Sequence, residues 1–241
     1  MQTRDIKDFY NHSLQKSENA YEFDRWFKNS QAQASYISTK KAVSKYAIPL
    51  INDEMDVFEL GPGPGTWTKV LLEKAPKARY DLVDISEAML EQAKRALSSF
   101  ANISFKCSDI LEFNPTKKYD FFFSSRMIEY VPDKEKAVKV IADSLRTGAK
   151  GYIVTKTPQT GRPLKRHTYS DIHKQQIEMK DLVSLLEGNG LRVIKKAHVT
   201  CVFPLLRSGF MDRVTTVICQ FLPLRIGMLV SESYVLVFVK K

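Results

Sequence analysis

"DVFELGPGPGTWTKVLL", Asp56 to Leu72, sets three glycines and two prolines between an apolar run and a helical pattern. "DVFEL" reads as a buried strand and the residues from Thr66 onward as a helix, so the glycines occupy a strand-to-helix turn. Glycine lacks a Cβ and takes positive φ freely, whereas proline holds φ at about −65°. Alternating the two makes a stiff turn with outward-facing amides, followed by the free N–H groups and positive dipole end of a helix. At the carboxyl end of a strand, such a turn suits a ligand bearing a carboxylate, a phosphate or a ribose.

Outward from this turn, short β-like runs alternate with helical ones, the signature of a parallel α/β sheet. Further strands are expected at "YDLVD" (Tyr80–Asp84), "ISFKC" (Ile103–Cys107), "YDFFFS" (Tyr119–Ser124), "GYIVTK" (Gly151–Lys156), "LRVIKKA" and "SYVLVFV" (Ser233–Val239). "SEAMLEQAKRALSSF" predicts a helix capped by Ser86, with Met89, Ala93, Ala96 and Leu97 on one face. A second helix is expected from Asp133 to a stop at Gly148, and a third up to Gly190. Residues 1–55 carry Tyr10, Tyr21, Trp26, Phe27 and Tyr36 among helix formers and read as a helical N-terminal cap.

The 241 residues suit one α/β domain spanning 56–241 beside that cap. The opening residues hold no apolar core of a secretory leader, which predicts a cytoplasmic chain. Cys107, Cys201 and Cys219 are scattered, fit no metal spacing, and are expected as buried free thiols. The net charge of +10 is spread along the chain without a basic run, so a generally basic surface is expected and nucleic acid is not an expected partner.

Two acids extend the turn into a site. Asp84, at the end of the second strand, is placed to accept hydrogen bonds from both hydroxyls of an adenosine ribose. Asp109, just past the third strand, is placed to receive an adenine amine. The dinucleotide fingerprint G-x-G-x-x-G fails, because Thr66 stands at its last position; a nicotinamide oxidoreductase is disfavoured. Local alternatives exist for each feature: Asp84 or Asp109 as a cap, and Arg126 with Glu129 as a surface ion pair.

"FELGPGPGTWT", "VDISEAML", "CSDILEF", "YDFFFSSRMIEYVPD" and "LRTGAKGYIVTK" follow the order and spacing of the class I S-adenosylmethionine-dependent methyltransferases, which the chain resembles from Asp56 to Lys156. The resemblance implies a Rossmann-like seven-stranded, mostly parallel sheet of order 3-2-1-4-5-7-6 with an antiparallel last strand. It implies S-adenosyl-L-methionine as cofactor and no metal. Gly61, Gly63 and Gly65 would line its methionine and ribose portion, with Glu59 holding the turn. Asp84, with Ile85 and Met89 after it, would serve the ribose side, and Asp109 and Ile110 the adenine. Ser124, Ser125 and Arg126 would lie beside the methionine end and the transferred methyl. Tyr130 stands where many relatives carry histidine, so no catalytic histidine is expected there.

The expected acceptor is a small molecule or lipid-like compound, with RNA or protein methylation, or a non-catalytic cofactor-binding module, as alternatives. His173, then His167, are the candidate general bases, in an insertion at 157–178; Tyr130 is a candidate for orienting the acceptor, or else a core tyrosine. His12 and His198 are weaker candidates. Between Lys156 and Lys174 the basic residues Lys156, Arg162, Lys165, Arg166 and Lys174 face one acid, Asp171, which predicts either an anion-receiving or a solvated loop. A second insertion, 203–231, places Val214, Val217, Ile218, Phe221 and Leu222 on one helical face. That stripe predicts either core packing, or a greasy wall for the acceptor with peripheral membrane contact.

Overall fold

All five residues of β1 (Asp56–Leu60) are buried, so both faces of this strand must be covered. The computed structural model, which describes residues 7–8, 21–158, 175–201 and 231–241, meets that demand with helices on both sides of a seven-stranded sheet. The other strands are β2 (Arg79–Asp84), β3 (Ile103–Cys107), β4 (Tyr119–Ser125), β5 (Leu145–Lys156), β6 (Leu191–Cys201) and β7 (Ser231–Lys240). Their order is β3-β2-β1-β4-β5-β7-β6; β1 to β5 pair in parallel, and β7 runs antiparallel to both β5 and β6. Order and directions are those the resemblance implies.

The strands' period of two divides the core between the faces. On one face Phe58, Phe122, Ile153, Leu236 and Phe238 pack against α5 (Lys134–Ser144) and α6 (Met179–Gly188). On the other, Val57, Leu82, Phe121, Phe123 and Val235 pack against α2 (Ser30–Tyr46), α3 (Thr66–Lys74) and α4 (Glu87–Ala96). Each fully buried aromatic or aliphatic side chain here contributes about 1.5–3 kcal/mol of transfer free energy. A short α1 (Tyr21–Trp26) precedes α2 and joins the second face through Trp26, whose ring meets Trp67 edge-on at 5.5 Å.

Several expectations are corrected. The helix from Asp133 stops at Ser144, not Gly148, because Leu145 already pairs with Tyr119; Gly148, at φ 83°, lies inside β5, where the register shifts. On α4 the buried residues are Met89, Leu90 and Ala93, followed by Leu97, while Ala96 faces solvent. Cys107 is exposed rather than buried, since β3 is an edge strand with one open face. His12, His167, Tyr169 and His173, and the segment 203–230, lie outside the described residues.

At the end of the sheet away from the glycine turn, Asp56 gathers Arg79 (2.7 Å), Lys117 (3.3 Å) and Arg146 (3.2 Å). The Arg79 guanidinium above all holds its carboxyl well below the usual range. A depressed carboxyl stabilises the fold above its unfolded pKa and loses that contribution as pH falls through its folded one. Asp56→Asn is therefore expected to melt below the wild type at neutral pH, with the gap closing in acid. A constant gap across a pH series of melting curves would contradict this.

Candidate active site

Gly61, Gly63 and Gly65 have φ of 72°, 56° and 89°, backbone that L side chains rarely adopt. The turn is tied down by the Gly61 N–H, which donates to the Val83 carbonyl at 2.8 Å, and by the Gly65 N–H, which donates to Pro62 at 3.1 Å. The two outer glycines are packed: a Cβ on Gly61 would stand 2.5 Å from Met127 Cγ, and one on Gly65 3.1 Å from Leu97 Cδ1. Around Gly63 a Cβ would meet nothing within 4 Å, and this residue lines a cavity at the carboxyl ends of the strands.

Asp84 reaches that cavity from β2 with both oxygens engaged by backbone. Oδ2 accepts the Gly63 N–H at 3.1 Å and Oδ1 accepts the Ser86 N–H at 2.9 Å. Ser86 in turn caps α4 by accepting the Met89 N–H at 3.2 Å, so the capping alternative is met by Ser86 while Asp84 clamps turn to helix. Enclosure pushes the Asp84 carboxyl up to about 6, against the opposing pull of the Ser86 and Gly63 amides.

Asp109 lines the same cavity; its Oδ1 accepts the Leu111 N–H at 3.0 Å, closing a local turn as well. Ile85, Met89 and Ile110 supply apolar wall, and Ser125, Arg126 and Tyr130 line the β4 end. Among the described residues, Ser125 Oγ makes no hydrogen bond. The cavity thus gathers Gly61, Gly63, Asp84, Ile85, Met89, Asp109, Ile110, Ser125, Arg126 and Tyr130.

Glu59, Gly65 and Ser124 do not line it. Ser124 is fully buried and its hydroxyl donates to the Leu60 carbonyl at 3.0 Å, cross-linking β4 to β1. Glu59 lies beneath the turn at 1% exposure, and burial pushes its carboxyl up to about 8. Lining residues that the sequence did not single out include Tyr21, Arg25 and Trp26 from α1, beside Trp67, Ser108 and Met127. The clustered aromatic and cationic character of the α1 residues was the available signal, but nothing local says which strand ends they cover.

Arg126 and Glu129 are not a surface pair. They are 8% and 0% exposed, with Arg126 Nε 3.5 Å from Glu129 Oε1. Glu129 Oε2 accepts the Thr155 hydroxyl at 3.1 Å and the Lys156 N–H at 2.7 Å. Burial alone would raise its carboxyl; the Arg126 and Lys156 charges and the Lys156 amide outweigh that and hold it below its ordinary value. Arg126 itself has φ 63°, the one non-glycine in the left-handed region among the described residues.

A family model described as a methyltransferase domain matches residues 57–148. Malonyl-[acyl-carrier protein] O-methyltransferase 1 of Ilyobacter polytropus is 33% identical over 97 residues, covering 40% of this chain and 36% of that protein. Trans-aconitate 2-methyltransferase of Enterobacter sp. (strain 638) is 36% identical over 95 residues, covering 39% of this chain and 36% of that protein. The chain therefore spans little more than a third of the length of these two relatives. Among solved structures, the N-methyltransferase NodS from Bradyrhizobium japonicum WM9, in complex with S-adenosyl-L-homocysteine, aligns at TM-score 0.63 and 13% identity over 96% of this chain and 98% of its own. Magnesium protoporphyrin IX methyltransferase from Synechocystis PCC 6803, with bound S-adenosylmethionine, aligns at TM-score 0.62 and 16% identity over 98% of this chain and 95% of its own. At those identities the two structures show a shared fold.

Proposed function

We propose that this chain, whose residues 57–148 match a methyltransferase domain, moves the methyl group of S-adenosyl-L-methionine onto a small-molecule or lipid-like acceptor in the cytoplasm. One observation carries this most: Asp84 is clamped between the Gly63 and Ser86 amides at 3.1 and 2.9 Å and shares a cavity with the glycine turn and Asp109. The residues present fit the cofactor. Asp84 would accept the ribose hydroxyls, and the open side of Gly63 admits the ligand beside the turn. Asp109, Ile85 and Ile110 would frame the adenine, leaving the methyl toward Ser125, Arg126 and Tyr130.

When bound, the sulfonium supplies a methyl group already activated for transfer. What remains for the chain is placement: aligning the acceptor and excluding water around it. The described helices do not include one long and apolar enough to cross a membrane.

Calorimetric titration with S-adenosylmethionine, S-adenosylhomocysteine and NAD tests this. Binding of the first two without NAD is expected, and binding of NAD alone would reverse the conclusion. The pH dependence is a second test. Asp84 accepts ribose hydroxyls as a carboxylate, so affinity should fall as pH drops through about 6, by up to about tenfold per unit. Stability moves the other way, since a carboxyl raised on folding contributes most below its unfolded pKa and loses that contribution as pH rises through its folded one. Affinity that stays level from neutral pH to well below that value would remove Asp84 from the ribose contact.

A further inference from the structure

The helix α2 and the edge strand β6 enclose a groove of about 850 Å³ that shares no lining residue with the cofactor cavity. Lys40, Lys41 and Lys45 line it from the helix, and Lys195 and Lys196 from the strand. No acidic residue lines it, and neither α2 nor β6 contains one. Among the described residues, none of these five lysines forms an ion pair. Cations at the far end of the sheet are matched instead: Arg79, Lys117 and Arg146 all reach Asp56. Lys41 and Lys45 stand four apart on one helix, where like charges destabilise it. Lysines on an edge strand deter pairing with another sheet. That accounts for Lys195 and Lys196, but not for three more on the facing helix.

The same surface exposes aliphatic side chains. Ile37 lines the groove at 39% exposure, and Ile194 is 45% exposed. A bulge between Val193 and Lys195 decides where Ile194 points. Val193 packs with the core of one face, whereas Ala197 packs with the core that holds Ala42 and Val43 of α2. Side chains alternate along a strand. Ile194, opposite to Val193, and Lys195, two before Ala197, therefore stand together on the α2 side.

We propose that this groove docks the chain on an anionic lipid membrane: headgroup phosphates enter among the five lysines while Ile37 and Ile194 reach the acyl boundary. Each ammonium adds its own attraction to an anionic surface. Exposed aliphatic side chains gain by leaving water at the same boundary. Nucleic acid is the poorer match. The lining holds no arginine to grip phosphates with a planar fork, and its one aromatic, Tyr46, already carries Lys45 over its ring at 5.3 Å. Docking does not depend on methyl transfer, but it would hold the chain at the surface from which a lipid-like acceptor is drawn.

The test is co-sedimentation of the full chain with vesicles of phosphatidylcholine alone, or of an equimolar mixture with phosphatidylglycerol. Binding to the mixed vesicles is expected to exceed binding to the neutral ones by about a hundredfold or more, and to weaken as salt screens the charges. Lys41→Gln, Lys45→Gln and Lys195→Gln combined should lower the affinity about a hundredfold, at about fivefold per lysine. The same three positions changed to arginine keep the charge and should sediment as wild type does. Ile37→Ser and Ile194→Ser combined should lower affinity about tenfold and remove the part that survives high salt. All five positions are exposed, so melting temperature and S-adenosylhomocysteine affinity should not change in any of these variants.

Equal binding to neutral and mixed vesicles, or binding to neither, overturns the proposal. So does a glutamine variant that sediments as wild type does, which would place the membrane contact elsewhere on the chain. Lysine-dependent binding of a fluorescent oligouridylate or of polyglutamate, with mixed vesicles left unbound, would assign the groove to nucleic acid or to an acidic protein instead. A wild type that binds mixed vesicles but not S-adenosylhomocysteine would keep this surface and strike the proposed function.

Discussion

Replacing Asp84 by alanine is expected to weaken S-adenosylhomocysteine binding by about a hundredfold or more. Hydrogen bonds to a charged acceptor are worth about 1.5–3 kcal/mol each, and two ribose hydroxyls would lose such bonds together. At the lower figure the sum is about 3 kcal/mol, or roughly two orders of magnitude in affinity. The same change frees the Gly63 and Ser86 amides that Asp84 holds at 3.1 and 2.9 Å, so the turn also loses its tie to α4. Asp84→Asn separates the effects: it keeps one acceptor oxygen but turns an NH2 toward an N–H, and should fall between wild type and alanine. Calorimetric titration and melting curves on all three proteins would show this. Affinity for the alanine variant within threefold of wild type would eliminate the ribose contact.

The second large effect separates two glycines two residues apart. Gly61→Ala places a methyl 2.5 Å from Met127 Cγ and 2.6 Å from its Cβ, at φ 72°. The left-handed backbone costs about 1–2 kcal/mol and the overpacking about 1–3 kcal/mol, for a total of about 2–5 kcal/mol. For a chain of this size that corresponds to a fall in Tm of about 4–20 °C. At Gly63 the φ is 56° and the added methyl meets nothing within 4 Å, so only the backbone term applies. Its methyl stands instead in the space the cofactor would occupy. Gly61→Ala should therefore be read mainly in thermal melts and Gly63→Ala mainly in binding. Equal losses of Tm in both variants would mean that Met127 yields and that packing does not distinguish the glycines.

Much of the site was legible because its signals are local. Positive φ at Gly61, Gly63 and Gly65, the carboxylate at the end of β2 and the cap at Ser86 each depend on a few neighbouring residues. The same spacing supports the strands and the period of α4. Errors came where a distant element decides. Gly148 has the look of a helix stop, yet Leu145 is captured by Tyr119 across the sheet, so the helix ends earlier. Ser124 and Ser125 are adjacent and chemically alike; β4 lying against β1 consumes the hydroxyl of the first, and only the second lines the cavity. Arg126 and Glu129 have the spacing of an exposed pair, and nothing in that spacing reveals that both are buried.

By itself the amino-acid order determined the turn, the two acids and the alternation of strand and helix, because dihedral preference and side-chain periodicity act over a few residues. The tertiary structure alone decided that Tyr21, Arg25 and Trp26 line the cavity, that Glu59 is buried beneath the turn with its carboxyl pushed up, and that Arg126 is held inside beside Glu129. Those outcomes depend on desolvation and on contacts between residues distant in the chain, which exist only once the sheet has brought its strands together.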